Sequence, residues 1–316
     1  MNALTSPDPS PALVIHSTMP AWGVGLVVDD QPKRRSVQFQ DGQTRTFRIG
    51  FYHLLEPWMA PSPSRGEAVA RNLGDAHDLI TSVSKVEDRK EIRVTFGDQL
   101  RAFRSMYPGG FQGEVWRDAH RAPPSGRRTK RHVDAVLADA KNSLSHAALS
   151  EAPGEALEKL ATLMSKTGLA SPSKDVRPLR EISDDKREAL GLDLINLLYG
   201  EEDSSRRLGQ WVLALHRAGV TPTWALASVP GALADPAGRG FVKPRALTTQ
   251  GRTLGTANAI LTPSAASWRS ANTTMQAVHE RLVAEGFAPV DRIDVAHFVH
   301  ETLRPKTIKA IEEGEL

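Results

Sequence analysis

Between Leu13 and Ile49 the chain holds four short runs of β-formers, and no helix of useful length fits through them. The runs are Leu13-Val14-Ile15, Val24–Val28, Ser36–Phe39 and Thr44–Ile49. Asp41-Gly42 lies between the last two, and such a pair tolerates the positive φ that a tight hairpin turn demands. Gly23 and Gly25 flank Val24, where glycine marks a bulge or a sharp bend. These features predict a compact antiparallel β-barrel of four or five strands over residues 12–57, with Val14, Val27, Val37 and Phe39 inward. Residues 1–11, with Pro7, Pro9 and Pro11 among small polar residues, read as a disordered leader.

After Leu55 the texture changes. Residues 56–65 carry three prolines and read as a linker, and residues 66–94 show no clear period. From Thr95 onward apolar residues recur at helical spacing. Phe96, Leu100, Phe103 and Tyr107 form one stripe, stopped by Pro108-Gly109-Gly110. Further helices are expected over Gln112–Ala119, Arg131–Leu149 and the stripe Leu157–Met164, the last closed by Gly168. Residues 169–180 read as a second linker. A helix capped by Ser183 and closed by Gly200, and one around Trp211 closed by Gly219, come next. Shorter helices broken by Pro230, Pro236, Pro244 and Gly255 follow. A long helix from Pro263–Ser267 to Gly286 then buries Trp268, Met275, Val278, Leu282 and Val283, and a last one spans Asp291–Leu303. The expected class is α+β: a small barrel, then helical domains over 66–168 and 181–305.

The pattern Val14-x-His16, Trp22-Gly23-Val24-Gly25-Leu26-Val27, Val37-x-Phe39 and Gly42 resembles the SH3/Tudor-like barrel at the C-terminus of UvrD-type helicases. It is also similar to a short bacterial WGxGxV domain of unknown function, and more broadly to the polymerase-binding barrel of CarD-type regulators. The resemblance covers about 45 residues and implies a non-catalytic attachment module for nucleic acid or a nucleic-acid-processing protein. The rest, including Arg104–Trp116, Phe241–Pro244 and Asp291–Phe298, resembles only uncharacterised bacterial proteins and implies no chemistry.

Net charge is +3, so attraction to nucleic acid has to come from local clusters. One cluster is Lys33, Arg34, Arg35, Arg45 and Arg48 on the hairpin and its flank. Another is Arg117, His120, Arg121, Arg127, Arg128, Lys130, Arg131 and His132, most of it beside Pro123-Pro124-Ser125-Gly126. The expected nucleic-acid contacts are Lys33, Arg34, Arg35, Arg45, Arg127, Arg128, Lys130 and Arg131, acting on phosphates without reading sequence. Solvated charge in a hairpin and a linker is the simpler alternative for both.

There is no cysteine, which removes disulfides and thiolate metal sites and suits a reducing compartment. No run is long enough to cross a membrane, and no signal peptide is visible. A cytoplasmic protein without cofactors is expected. HExxH, Walker A and Gly-x-Ser-x-Gly patterns are missing. Asp294, His297 and Glu301 share a helical face at i, i+3 and i+7, a spacing able to offer ligands to one ion. Three ligands from one helix are awkward, His300 points elsewhere, and solvated charges are the expected outcome. Asp75, Asp78, Glu87, Asp88, Lys90 and Glu91 are the residues a degenerate nuclease site would use. The leading expectation is a DNA-associated adaptor. A structural subunit of a defence or repair assembly and an enzyme with an unrecognised nuclease-type site are the alternatives.

Overall fold

The computed structural model describes residues 12–87, 94–121, 133–257, 260 and 262–316. The chain divides into two compact units, Met1–Lys90 and Glu91–Leu316.

In the first unit, strands β1 (Leu13–His16), β2 (Val24–Gln31), β3 (Arg34–Phe39), β4 (Thr44–Arg48) and β5 (Leu55–Pro57) form one antiparallel sheet in the order β4-β3-β2-β1-β5. All four expected runs are strands. Gly42 takes φ 83° in the β3–β4 turn, and Asp41 Oδ1 accepts from the Gln43 amide at 3.1 Å. The register slip in β2 lies at Val27/Asp29, later than the glycines suggested. β5 occupies the start of the expected linker: Leu55 is buried, and Val14 pairs opposite Pro57. β4 and β5 are the two edges and do not pair, so the sheet is open and the expected closed barrel is not formed. β5 is three residues long and ends at Pro57, which has no N–H to donate to a further strand.

Period-2 alternation places successive side chains on opposite faces. One face packs Val14, Val37, Phe39, Phe47 and Leu55 together, with Val27 and Trp22 at its margin. The other sets Leu13 and Val24 against Ala70 and Leu73 of helix α1 (Pro63–Glu87), which the sequence left unassigned. Gly25 lies opposite Phe39, and a Cβ there would come within 2.5 Å of Val37 Cγ1. The close approach of β2 and β3 therefore requires glycine at that point.

The second unit is helical. Its first half holds α2 (Phe96–Met106), α3 (Glu114–His120), α4 (Val133–Ser143), α5 (His146–Glu151), α6 (Ala156–Ser165) and α7 (Arg177–Arg180). α8 (Asp184–Tyr199), α9 (Ser204–Ala218), α10 (Trp224–Ala234), α11 (Pro244–Leu254), α12 (Ala265–Ala284), α13 (Arg292–Thr302) and α14 (Pro305–Glu312) complete it. Thr95 and Asp98 form a capping box on α2. The single helix expected over 131–149 is two, because Ser145 starts α5 by accepting from the Ala148 amide. α6 ends at Ser165, ahead of Gly168, whereas Gly219 ends α9 in the left-handed conformation at φ 87°. Val283, expected inward, is 52% exposed.

Pro230 does not break its helix but sits inside α10. A proline cannot donate to the carbonyl four residues back, and here that carbonyl, Leu226, accepts from Trp211 Nε1 at 2.9 Å instead. One continuous apolar core runs from Val94 to Leu303, so residues on both sides of the expected 169–180 linker share it. Its largest buried side chains include Trp116, Trp211, Phe103, Phe241 and Phe298.

Candidate metal centre

The turn Pro108-Gly109-Gly110, with both glycines at positive φ, reverses the chain after α2 and sends α3 back across it. Phe103, Tyr107, Phe111 and Trp116 interlock edge-on or tilted, with centroids about 5 Å apart. This aromatic block fixes the end of α3. α13 packs against α2, with Phe298 ringed by Phe96 and Phe103.

Polar groups fill the seam between α3 and α13. Arg121, 4% exposed at its side chain, is the hub. Its guanidinium donates to both Asp291 oxygens at 2.5 and 2.9 Å and to Asp294 Oδ1 at 2.8 Å. Asp294 also accepts from Trp116 Nε1 at 2.9 Å and from the Val290 amide at 2.8 Å. Asp291 caps α13 through the Ile293 and Asp294 amides. Burial raises the Asp294 carboxyl above its ordinary pKa, against the pull of Arg121 and the other donors. The expected face of Asp294, His297 and Glu301 is therefore split: Asp294 is committed to Arg121.

Its place beside His297 and Glu301 is taken by His120, the last residue of α3. One ligand atom from each of His120, His297 and Glu301 lies within 4.8 Å of the others. The His120 and His297 rings sit 4.3 Å apart, with Phe241 4.8 Å from His297 on another side. Neither ring nitrogen of His297 reaches solvent or a hydrogen-bond partner. Tyr107 Oη donates to Glu301 Oε2 at 3.2 Å and lies 3.4 Å from His120 Nε2; Arg304 pairs with Glu301 Oε1 at 2.5 Å.

Desolvation, reinforced by Arg304, Arg121 and His300, holds His120 down to about 4. Burial, with the neighbouring His120, Arg121, His300 and Lys243, takes His297 well below its ordinary value. Both imidazoles are neutral at pH 7 and present lone pairs, the form a metal ion binds. Burial raises Glu301, opposed by Arg304 and Tyr107. A tetrahedral zinc ion with bonds of about 2.0–2.1 Å would set its ligands roughly 3.3 Å apart, so donor atoms up to 4.8 Å apart would have to close by as much as about 1.5 Å to supply three of its four positions. Tyr107 and Arg304 already orient the Glu301 carboxylate as outer partners of a metal ligand do.

The other candidate residues stand differently. Arg35 forms a two-point pair with Asp30, and Arg45 one with Asp41 while lying 3.9 Å over the Trp22 ring. Arg34 is exposed, with Asp29 at 3.7 Å, and Lys33 is exposed. Arg127, Arg128, Lys130, Arg131 and His132 lie outside the described residues. Asp75 and Asp78 are exposed on α1. Asp88, Lys90 and Glu91, and the side chain of Glu87, are outside the described residues.

Sequence spacing singled out two of these three residues, His297 and Glu301. His120 was grouped with a basic run, and its pairing with α13 had no local signal. No known protein family matches the sequence, and neither a curated protein nor a solved structure matches the chain.

Proposed function

We propose that the helical unit binds a divalent transition-metal ion of the zinc class at His120, His297 and Glu301, in the manner of a hydrolytic centre. The convergence of these three groups, with His297 lacking any other partner for its buried nitrogens, carries the reading. A buried imidazole with both nitrogens unsatisfied is costly, and ligation removes that cost for the nitrogen that binds. Two histidines and one glutamate are a donor set that catalytic zinc sites use, leaving a fourth position for water or a substrate oxygen. A zinc-class ion there supplies Lewis acidity and a water that ionises near neutral pH. Titrating the full chain with Zn2+ by calorimetry, and with Co2+ by its visible absorption, tests the reading. One site per chain is expected, with affinity reduced at least about tenfold in His297→Ala and Glu301→Gln. No binding to wild type at 100-fold excess of metal overturns it.

A second reading concerns the N-terminal sheet. The register sets Arg34 opposite Arg48, and Ile49 donates its amide to the Lys33 carbonyl. Lys33, Arg34, Arg48, Ile49 and Phe51 are all exposed at this end of the sheet. A basic edge bordered by apolar side chains suits attachment to nucleic acid or to an acidic protein surface, as the SH3/Tudor-like resemblance implies. In this reading the chain is an adaptor, and Arg35 and Arg45, already paired with aspartates, contribute little. Labelled duplex DNA titrated with wild type and Lys33→Glu/Arg34→Glu at several salt concentrations tests it. Salt-insensitive, identical curves for the two exclude the nucleic-acid partner.

A further inference from the structure

We infer that a groove between α12 and the 238–240 loop binds a free α-amino acid with a short polar side chain, its carboxylate on Arg292 and its ammonium on Glu280. This site is separate from the metal centre and does not rest on that reading.

The groove has a volume of about 460 Å3, and Gly238, Gly240, Asn272, Gln276, Glu280 and Arg292 are among its lining residues. Asn272, Gln276 and Glu280 follow one another at i, i+4 and i+8, so one face of α12 presents all three. Arg292 comes from the first turn of α13. Part of the wall is backbone. A Cβ on Gly240 would lie 2.8 Å from both the Arg292 carbonyl oxygen and Met275 Sδ, so only glycine lets the loop lie this close to α12 and α13. The Gly240 amide donates to no group among the described residues, although the residue is buried. Buried N–H groups are nearly always paired, so an open one on the wall of a groove needs an acceptor from outside the chain.

The two charges of the groove are linked but not paired. Arg292 donates to the Met275 carbonyl at 3.4 Å and to Gln276 Oε1, and Gln276 Nε2 donates to Glu280 Oε1 at 2.6 Å. Gln276 thus spaces the guanidinium from the carboxylate by one amide and two hydrogen bonds, roughly 6–8 Å. Among the described residues, no carboxylate lies within ion-pair distance of Arg292, and no cation within that distance of Glu280. Only two of the five N–H donors of Arg292 are used. An α-amino acid carries its ammonium and carboxylate about 3 Å apart, and a hydrogen bond of about 2.8 Å at each end spans the gap. A simple anion meets Glu280 as a like charge, and a simple amine meets Arg292 as one. A ligand with both charges is attracted at both ends. Its carboxylate also brings the acceptor oxygens that the open Gly240 amide lacks. Asn272 and Thr273, a turn before Gln276, are neutral and polar, and suit a side-chain amide or hydroxyl.

The test titrates the full chain, without added metal, with L-glutamine, L-asparagine and L-serine by calorimetry. Glutaramate, which is glutamine without its ammonium, and 4-aminobutanamide, which is glutamine without its carboxylate, are the comparisons. One amino acid per chain is expected, with glutaramate and 4-aminobutanamide at least about tenfold weaker than glutamine. Arg292→Gln should abolish the preference for glutamine over 4-aminobutanamide, and Glu280→Gln the preference over glutaramate. A loss of binding through misfolding does not produce this crossed pattern, and Glu280, exposed on α12, is replaced without disturbing the core. No binding of any of the three amino acids at roughly 10 mM, equal binding of glutamine and either analogue, or preferences unchanged in both variants overturns the inference.

Discussion

Replacing Arg121 by methionine, which keeps most of the volume, isolates the charge at the centre of the α3–α13 seam. Among the described residues, the guanidinium is the only cation in direct contact with Asp294, which is fully buried, and with Asp291, whose side chain is 7% exposed. Stranding one partner of a buried pair costs about 3–5 kcal/mol. Asp294 keeps Trp116 Nε1 and the Val290 amide, and Asp291 keeps two α13 amides, so about 3 kcal/mol is expected. For a helical unit of this size that corresponds to a fall in Tm of about 6–12 °C. The loss should depend on pH with a defined sign. Without Arg121 the folded-state pKa of Asp294 rises further above its unfolded value, so the folded variant binds more protons than the unfolded chain across that window. The variant therefore loses stability as pH rises, and its deficit against wild type is smaller at pH 5 than at pH 7.5. Urea unfolding followed by circular dichroism at both values measures this. Adding Asp291→Asn and Asp294→Asn to Arg121→Met should recover at least half of the loss, because no buried charge is then left alone. A deficit below 1 kcal/mol, or one equal at both pH values, would refute the account.

Phe39→Ala removes a fully buried ring set 5.3 Å from Trp22 and 6.2 Å from Phe47, and should cost about 3–5 kcal/mol; NMR amide dispersion of residues 12–57 should collapse while that of α12 persists. Trp211→Phe strands the Leu226 carbonyl and should cost about 1–3 kcal/mol by urea titration, whereas Pro230→Ala added to it returns an i+4 donor and should recover part of the loss. His216 is held down to about 4 by desolvation, so between its unfolded value and that point the unfolded chain binds the extra proton and stability falls as pH falls. Calorimetry from pH 7.5 to 4.5 should find His216→Leu losing about 2 kcal/mol less than wild type over that range.

Local signals carried most of the architecture. Alternating β-formers, the Asp41-Gly42 turn and the apolar stripe that begins after Thr95 act within a few residues, and each is found where the pattern placed it. α1 was missed because its apolar face is thin, resting on the sheet through Ala70 and Leu73. β5 was masked by the prolines that follow it. Pro230 misled for a different reason: the substitute donor, Trp211, lies on another helix, where no local rule looks. The site fails to announce itself in the same way. Spacing on α13 nominated Asp294, His297 and Glu301, but Arg121 and His120, 170 or more residues away, decide which of them meet. Arg35 and Arg45 pair with Asp30 and Asp41, close by in the chain, a pairing that the run of basic residues did not reveal.

The seam is built from the two ends of the helical unit. Trp116 reaches Asp294 across 178 positions and Tyr107 reaches Glu301 across 194. On a ribosome adding about 5–20 residues per second, α2 and α3 emerge roughly 10–40 s before α13 exists to cover them. Through that interval Phe103, Tyr107, Phe111 and Trp116 have no permanent partner from the far end of the chain. A nascent chain in this state is a natural client for a holding chaperone. Any ion bound at His120, His297 and Glu301 would then require that α13 has been made, since no C-terminally shortened chain lacking α13 can assemble the set.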